Sequence, residues 1–184
     1  MTQLASTSIS TDICLIRYGT VPEVARFAHD SREIPLRGAP VVLETDRGLQ
    51  IGTVLERLKP NFDPAKDSET EFKILRMATD EDLAAARERT RECEEAFPQW
   101  CARISQWKLN LELIDLEWTL DRKKLILYVL CDRGPDSTKL ALQAAASGFG
   151  VIEVQPVSST GLVTIPQSSC GSGGGEGGGC GCHH

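Results

Sequence analysis

Basic charge is what this chain most lacks. Its 20 Lys and Arg are outnumbered by 26 Asp and Glu, leaving a formal net charge of −6. No charge run is strongly basic, and aromatics make up only 5% of the residues. Nucleic acids are gripped by clusters of Lys and Arg and by exposed rings, so direct nucleic-acid binding is not expected. Long apolar runs are missing too. The longest, Leu125 to Cys131, falls far short of the roughly 20 residues that span a bilayer, so membrane insertion is not expected. The start, "MTQLASTSISTD", has neither a basic nor an apolar stretch of the kind a secretory signal needs. There is no GxxxxGK[ST], and no GxGxxG set between a strand and a helix, so neither common phosphate-binding loop is present.

What is there reads as a globular chain. The 184 residues are 41% hydrophobic and 25% charged, enough for one sizeable core or two small ones. Seven cysteines, an odd count, with no expected signal, suggest reduced thiols and a cytoplasmic location.

The chain divides by pattern. From 12 to 58, short β-type runs dominate: "DICLIRYG", "EVARFAHD", and two strands around a tight turn at Asp46, Arg47 and Gly48. These predict a small, strongly curved β-unit, with Gly52 marking a bulge or a close backbone approach. The polar, proline-containing stretch from Lys59 to Glu71 reads as a linker. Beyond it, Thr79 and Asp82 form a capping-box pattern. Leu83, Ala86, Thr90, Cys93, Phe97, Trp100, Ile104 and Trp107 then recur at spacings of three and four, one stripe of a long helix. Pro98 predicts a kink or an interruption near Glu94 to Phe97.

A hairpin follows, with Ile114, Leu116, Trp118 and Leu120 on one face and Asp115, Glu117 and Thr119 on the other, turning at Asp121 to Lys124. The run Leu125 to Cys131 reads as a buried central strand. A second helix, capped by Asp136 or Ser137 and stopped at Gly148, precedes a last strand in "FGVIEVQPV". The fold class is α+β: an N-terminal curved β-unit (12–58), then a two-layer helix-hairpin-helix-strand domain (72–158). A Gly-rich tail (166–184), expected to be disordered unless something ties it down, completes the chain.

Chemistry-bearing residues are few. Asp115 and Glu117, with Asp121 nearby, are a carboxylate pair without an accompanying His or Lys, and a solvated hairpin face accounts for them better than acid–base catalysis. His29, Asp30 and Ser31 are consecutive, and neighbours on an extended chain point apart, so a polar turn is the better account. Cys93 and Cys101 are two helical turns apart, about 12 Å, too far to share an ion. With Cys14 and Cys131 they read as small buried hydrophobes. No catalytic residue is assigned.

The tail, "CGSGGGEGGGCGCHH", is different. Cys170, Cys180, Cys182 and His184 (or His183) supply four soft or borderline donors, the count a tetrahedral Zn site needs, and the thiolates also suit an iron–sulfur cluster or copper. The flexible spacer has a root-mean-square reach of roughly 17 Å, ample for folding back to close a site. The competing reading is a tail with incidental or redox thiols.

Three stretches together resemble one family. "VVLETDRGLQIGTVLE" (Val42, Glu44, Thr45, Arg47, Gly48, Gly52, Val54) is similar to the VxVETxRGxExGxV segment of the polymerase-suppressor (PSP-one) C-terminal domain family. "KILRMATDEDL" resembles that family's K-x-x-R-x-A-T-x-x-D/E-L through Lys73, Arg76, Ala78, Thr79, Asp82 and Leu83. The hairpin and second helix resemble a third region through Asp115, Glu117, Thr119, Asp121, Lys124, Leu125 and Asp136. The resemblance implies a cytoplasmic, non-enzymatic regulatory protein that works in complexes with small helical partner proteins, in phosphorelay control or in RNA processing with an endoribonuclease. Such members carry cysteine-rich segments linked to iron–sulfur clusters, where this chain has its Gly/Cys/His tail. The acidic face of the long helix and the hairpin edge are the surfaces expected to meet partners.

Overall fold

A computed structural model describes residues 12–29, 35–58, 72–130, 135–158 and 161–163. The expected linker (59–71), Asp30, Ser31, Cys131 and the tail residues Cys170, Cys180, Cys182, His183 and His184 lie outside the described residues.

Alternating side chains fold the N-terminal part into a barrel. Strands β1 (Asp12–Tyr18), β2 (Glu23–His29), β3 (Pro40–Thr45) and β4 (Gly48–Arg57) form two hairpins, and β1 also pairs antiparallel with β4. A fifth strand, β5 (Lys73–Met77), antiparallel to β3 and parallel to β2, closes the ring in the order β1-β2-β5-β3-β4. This differs from the expected partition: β5 falls inside 72–158 yet belongs to the barrel, and the helix–sheet unit begins only after it. The inward set is Cys14, Ile16, Tyr18, Phe27, Val41, Leu43, Val54 and Ile74, all buried. At Gly52 the close approach is real, since a Cβ there would lie 2.5 Å from methyls of both Ile16 and Leu43.

Helix α1 (Asp80–Gln106) opens with a complete capping box. Thr79 Oγ1 accepts from Asp82 N at 3.2 Å, and Asp82 Oδ2 accepts from Thr79 N at 2.8 Å. Arg76 grips the same carboxylate, its second guanidinium nitrogen donating to Asp82 Oδ1 at 2.9 Å. The R-x-A-T-x-x-D spacing therefore fastens the end of β5 to the start of α1. Arg76 holds the Asp82 carboxyl well below the usual carboxylate range. A depressed folded-state pKa gives stability that is present above the ordinary carboxylate pKa of about 4 and is lost as pH falls below it. Asp82→Ala is expected to cost about 1 kcal/mol at neutral pH, and the gap to the parent should shrink by pH 3, as read from urea midpoints at both pH values. A gap unchanged by acid would contradict this role.

The helix runs on through Pro98, so the expected interruption does not occur. Proline forfeits one backbone hydrogen bond, but the apolar stripe continues past it, with Trp100 and Ile104 buried like Cys93 before it. On the outer face Arg91 pairs with Glu88 and Glu95.

β6 (Glu112–Trp118), β7 (Lys124–Leu130), β8 (Val151–Ser158) and β9 (Gly161–Leu162) follow in that spatial order, with β7 and β8 parallel and the other pairs antiparallel. Helix α2 (Asp136–Ala146) connects β7 to β8. Its expected side-chain cap is absent: Pro135 occupies the cap, and Asp136 instead accepts from Asn110 N at 3.0 Å and Lys139 Nζ at 2.7 Å. α1 packs on β6 and α2 on β8, around a core that includes Trp100, Leu116, Leu125, Leu127, Val129 and Leu140. This is the predicted helix-hairpin-helix-strand order, with a short edge strand added. Among the described residues no helix is long and apolar enough to cross a membrane.

Candidate functional site

Barrel and helix–sheet unit have separate core clusters, and they meet at a polar network beside the buried Ile126 and Tyr128 of the sheet. The sequence builds this meeting from turns. Asp46 and Arg47 form the tight β3–β4 turn, and Gly48 after it has φ +122°, with Thr119 of the facing unit 3.1 Å from where a Cβ would stand. Only glycine suits both constraints. Beside it, Leu120 N donates to Leu49 O at 2.7 Å, one backbone bond between the two units.

Glu117 is the centre. Strand alternation turns it to the face opposite the helices, where Gln50 Nε2 donates to its Oε1 at 2.7 Å. Its Oε2 accepts from Tyr128 Oη at 2.6 Å and from Thr20 N at 2.9 Å. Gln50 is itself held by the Thr45 hydroxyl at 2.9 Å. The buried Arg47 reaches the same place, its guanidinium 2.7 Å from Glu23, 3.5 Å from Tyr128 Oη and 4.0 Å from Glu153, which also pairs with Lys124 at 2.8 Å. Thus Glu117 is not on a solvated face, as the sequence suggested: the barrel's turns cover it.

The electrostatics fix the donors in their donating forms. Burial, then the Glu117 carboxylate, pushes the Tyr128 phenol well above its ordinary range, so it stays protonated. Burial and then Glu23 do the same to Tyr18. Burial alone would lower the Arg47 guanidinium, and Tyr128 and Glu23 more than offset it. A carboxylate that accepts three hydrogen bonds, beside a phenol that does not ionise, is suited to holding two units in register. It is poorly suited to moving protons.

A cleft of about 420 Å³ opens beside this cluster, between β1, β4, α1 and β6, with Arg17, Ile51, Arg89, Asp115 and Trp118 in its walls. Asp115 Oδ1 accepts from the adjoining Leu116 N at 2.8 Å. Cys93 also lines the cleft, and burial pushes its thiol up to about 11, so it is neutral at physiological pH and a poor nucleophile.

The remaining candidates stand apart. Asp121 closes the β6–β7 turn, accepting from Thr119 Oγ1 at 2.7 Å and Lys123 N at 3.2 Å. His29 is buried at the end of β2 away from Glu23. Cys14 is buried and Cys101 half-buried, and neither is in a disulfide. Among the described residues no group of three or more His, Cys, Asp and Glu is placed to hold a metal ion. Reading the sequence did not find Thr20, Glu23, Gln50, Tyr128 or Glu153. Their only signal was proximity in the chain to Arg47 or Glu117, and for Thr20, Glu23 and Glu153 not even that.

Residues 72–145 match the family model for the PSP1 C-terminal conserved region. The chain is also 31% identical, over 117 residues, to the Stage 0 sporulation protein YaaT of Bacillus subtilis (strain 168). That alignment covers 64% of this chain and 42% of the relative, so the chain spans less than half of the relative's length. No solved structure matches significantly.

Proposed function

We propose that the chain, which matches the PSP1 C-terminal conserved region over residues 72–145 and is similar to YaaT over 117 residues, is a regulatory adaptor without catalytic activity. The observation that carries this reading is Glu117. Of the carboxylates the sequence offered for acid–base work, it is the one brought into a cluster with buried partners, and there it accepts three hydrogen bonds, from Thr20, Gln50 and Tyr128. The adaptor acts in the cytoplasm through protein complexes, with small helical proteins as partners. It serves phosphorelay control or RNA processing that involves an endoribonuclease. The acidic face of α1 and the β6 edge remain the surfaces proposed for contact.

The second reading rests on the composition of the tail. In it, Cys170, Cys180, Cys182 and His184 hold Zn or an iron–sulfur cluster, and the protein senses metal or redox state. One experiment separates the two: native mass spectrometry of the complex purified anaerobically from its own cell, full-length and truncated after Gln167. The adaptor reading expects stoichiometric protein partners that survive the truncation. No stoichiometric partner would overturn it, and metal lost on truncation together with activity would favour the second.

A further inference from the structure

We infer that the contact between barrel and helix–sheet unit is a latch, fastened by Arg47 and Glu117, which opens as one event while both cores stay folded. Each core is complete within its own unit: Ile16, Phe27 and Leu43 are sealed inside the barrel, and Trp100, Leu127 and Leu140 between the helices and the sheet. Among the described residues, extensive packing of one element on another occurs only within a unit. What crosses between them is a short set of polar bonds: Gln50 and Thr20 N to Glu117, Arg47 to Tyr128 and Glu153, and Leu120 N to Leu49 O. Separating the units therefore leaves both core clusters intact and exposes chiefly Tyr128 and Ile126.

At Arg47 the bonds that cross the junction are longer than the one inside the barrel. The side chain is 8% exposed, yet only the Glu23 contact is short, at 2.7 Å, and Glu23 belongs to the barrel itself. Across the junction its bond to Tyr128 Oη is long, at 3.5 Å, and Nε makes no hydrogen bond, with Glu153 at 4.0 Å. A guanidinium buried with a donor unused forgoes hydration that it regains on opening. Opening also frees Tyr128, wholly buried, and with it the strip of sheet that it shares with Ile126 and Glu117. The latch thus governs the exposure of the barrel-covered face of the sheet. It stands on geometry and does not require the adaptor reading.

Two backbone amides read the latch directly, because Thr20 N and Leu120 N each donate across the junction. In amide hydrogen exchange, both should open together and faster than Val42 and Leu127, which lie inside the two sheets. Arg47→Ala should speed exchange at Thr20 and Leu120 by about tenfold or more and leave Val42 and Leu127 as they were. Tyr128→Phe, which removes the phenol but keeps the ring, should act in the same direction and serves if Arg47→Ala does not fold. The inference is overturned if all four amides accelerate equally, or if Thr20 and Leu120 do not respond to either variant.

Discussion

Replacing Trp100 with alanine is expected to lower stability by about 3–5 kcal/mol, a large part of the total that a domain of this size commands. The indole is 3% exposed, its ring centroid is 4.9 Å from that of Phe149, and the Arg103 guanidinium lies 5.1 Å above it. It joins α1 to the segment that leads from α2 into β8, so its loss leaves a cavity that three elements would have to collapse to fill. Urea titration followed by far-UV circular dichroism measures the effect, and Trp100→Phe should recover much of it. A loss below about 1 kcal/mol would mean that the segment around Phe149 repacks freely, contrary to the packing described.

The opposite fault, overfilling, is expected at Gly52. A Cβ there would meet Ile16 Cγ2 and Leu43 Cδ1 at 2.5 Å and the Arg17 carbonyl at 3.3 Å. Two of these neighbours are core side chains in a closed ring, where little can give. Gly52→Ala should cost about 1–3 kcal/mol and Gly52→Val more, as read by calorimetry. Adding Leu43→Ala removes one obstructing methyl, so the double variant should be more stable than the summed single losses predict. Strict additivity would show that the obstruction is not where the structure puts it.

Both positions were visible in the sequence, for different reasons. Trp100 is one beat of an apolar stripe sustained through a 27-residue helix, a period too long to arise without a face to bury. Gly52 interrupts a strand that is otherwise well suited to pleating. Strand β5 was not visible: in "KILRM" only Ile74 is buried, and a register shift against β3 breaks the alternation. The junction was hidden for a plainer reason. Arg47 stood in a turn and Glu117 on a hairpin, each ordinary where it stood. Their meaning comes from partners far along the chain, since Gln50 and Glu117 are 67 residues apart and Arg47 and Tyr128 are 81 apart. Periodicity reports a residue's own element and is silent about which other element will face it. The expected interruption at Pro98 and the expected cap on α2 failed in the same way, being local rules that tertiary packing overrode.

The position of β5 has a consequence for the matched region as a piece of polypeptide. The family match begins at residue 72 and ends at 145, so it takes in the strand that seals the barrel and leaves out β8, the second neighbour of β7. Without β5 the remaining barrel strands form an open sheet with β2 and β3 as bare edges. A polypeptide cut to the matched region would in turn carry β5 with nothing to pair with and β7 with one side unmet. Unpaired edges of this kind invite association with other chains. The matched segment is therefore not a complete unit of this fold. It straddles the two units, so a cut at either of its ends leaves strands of both without a neighbour.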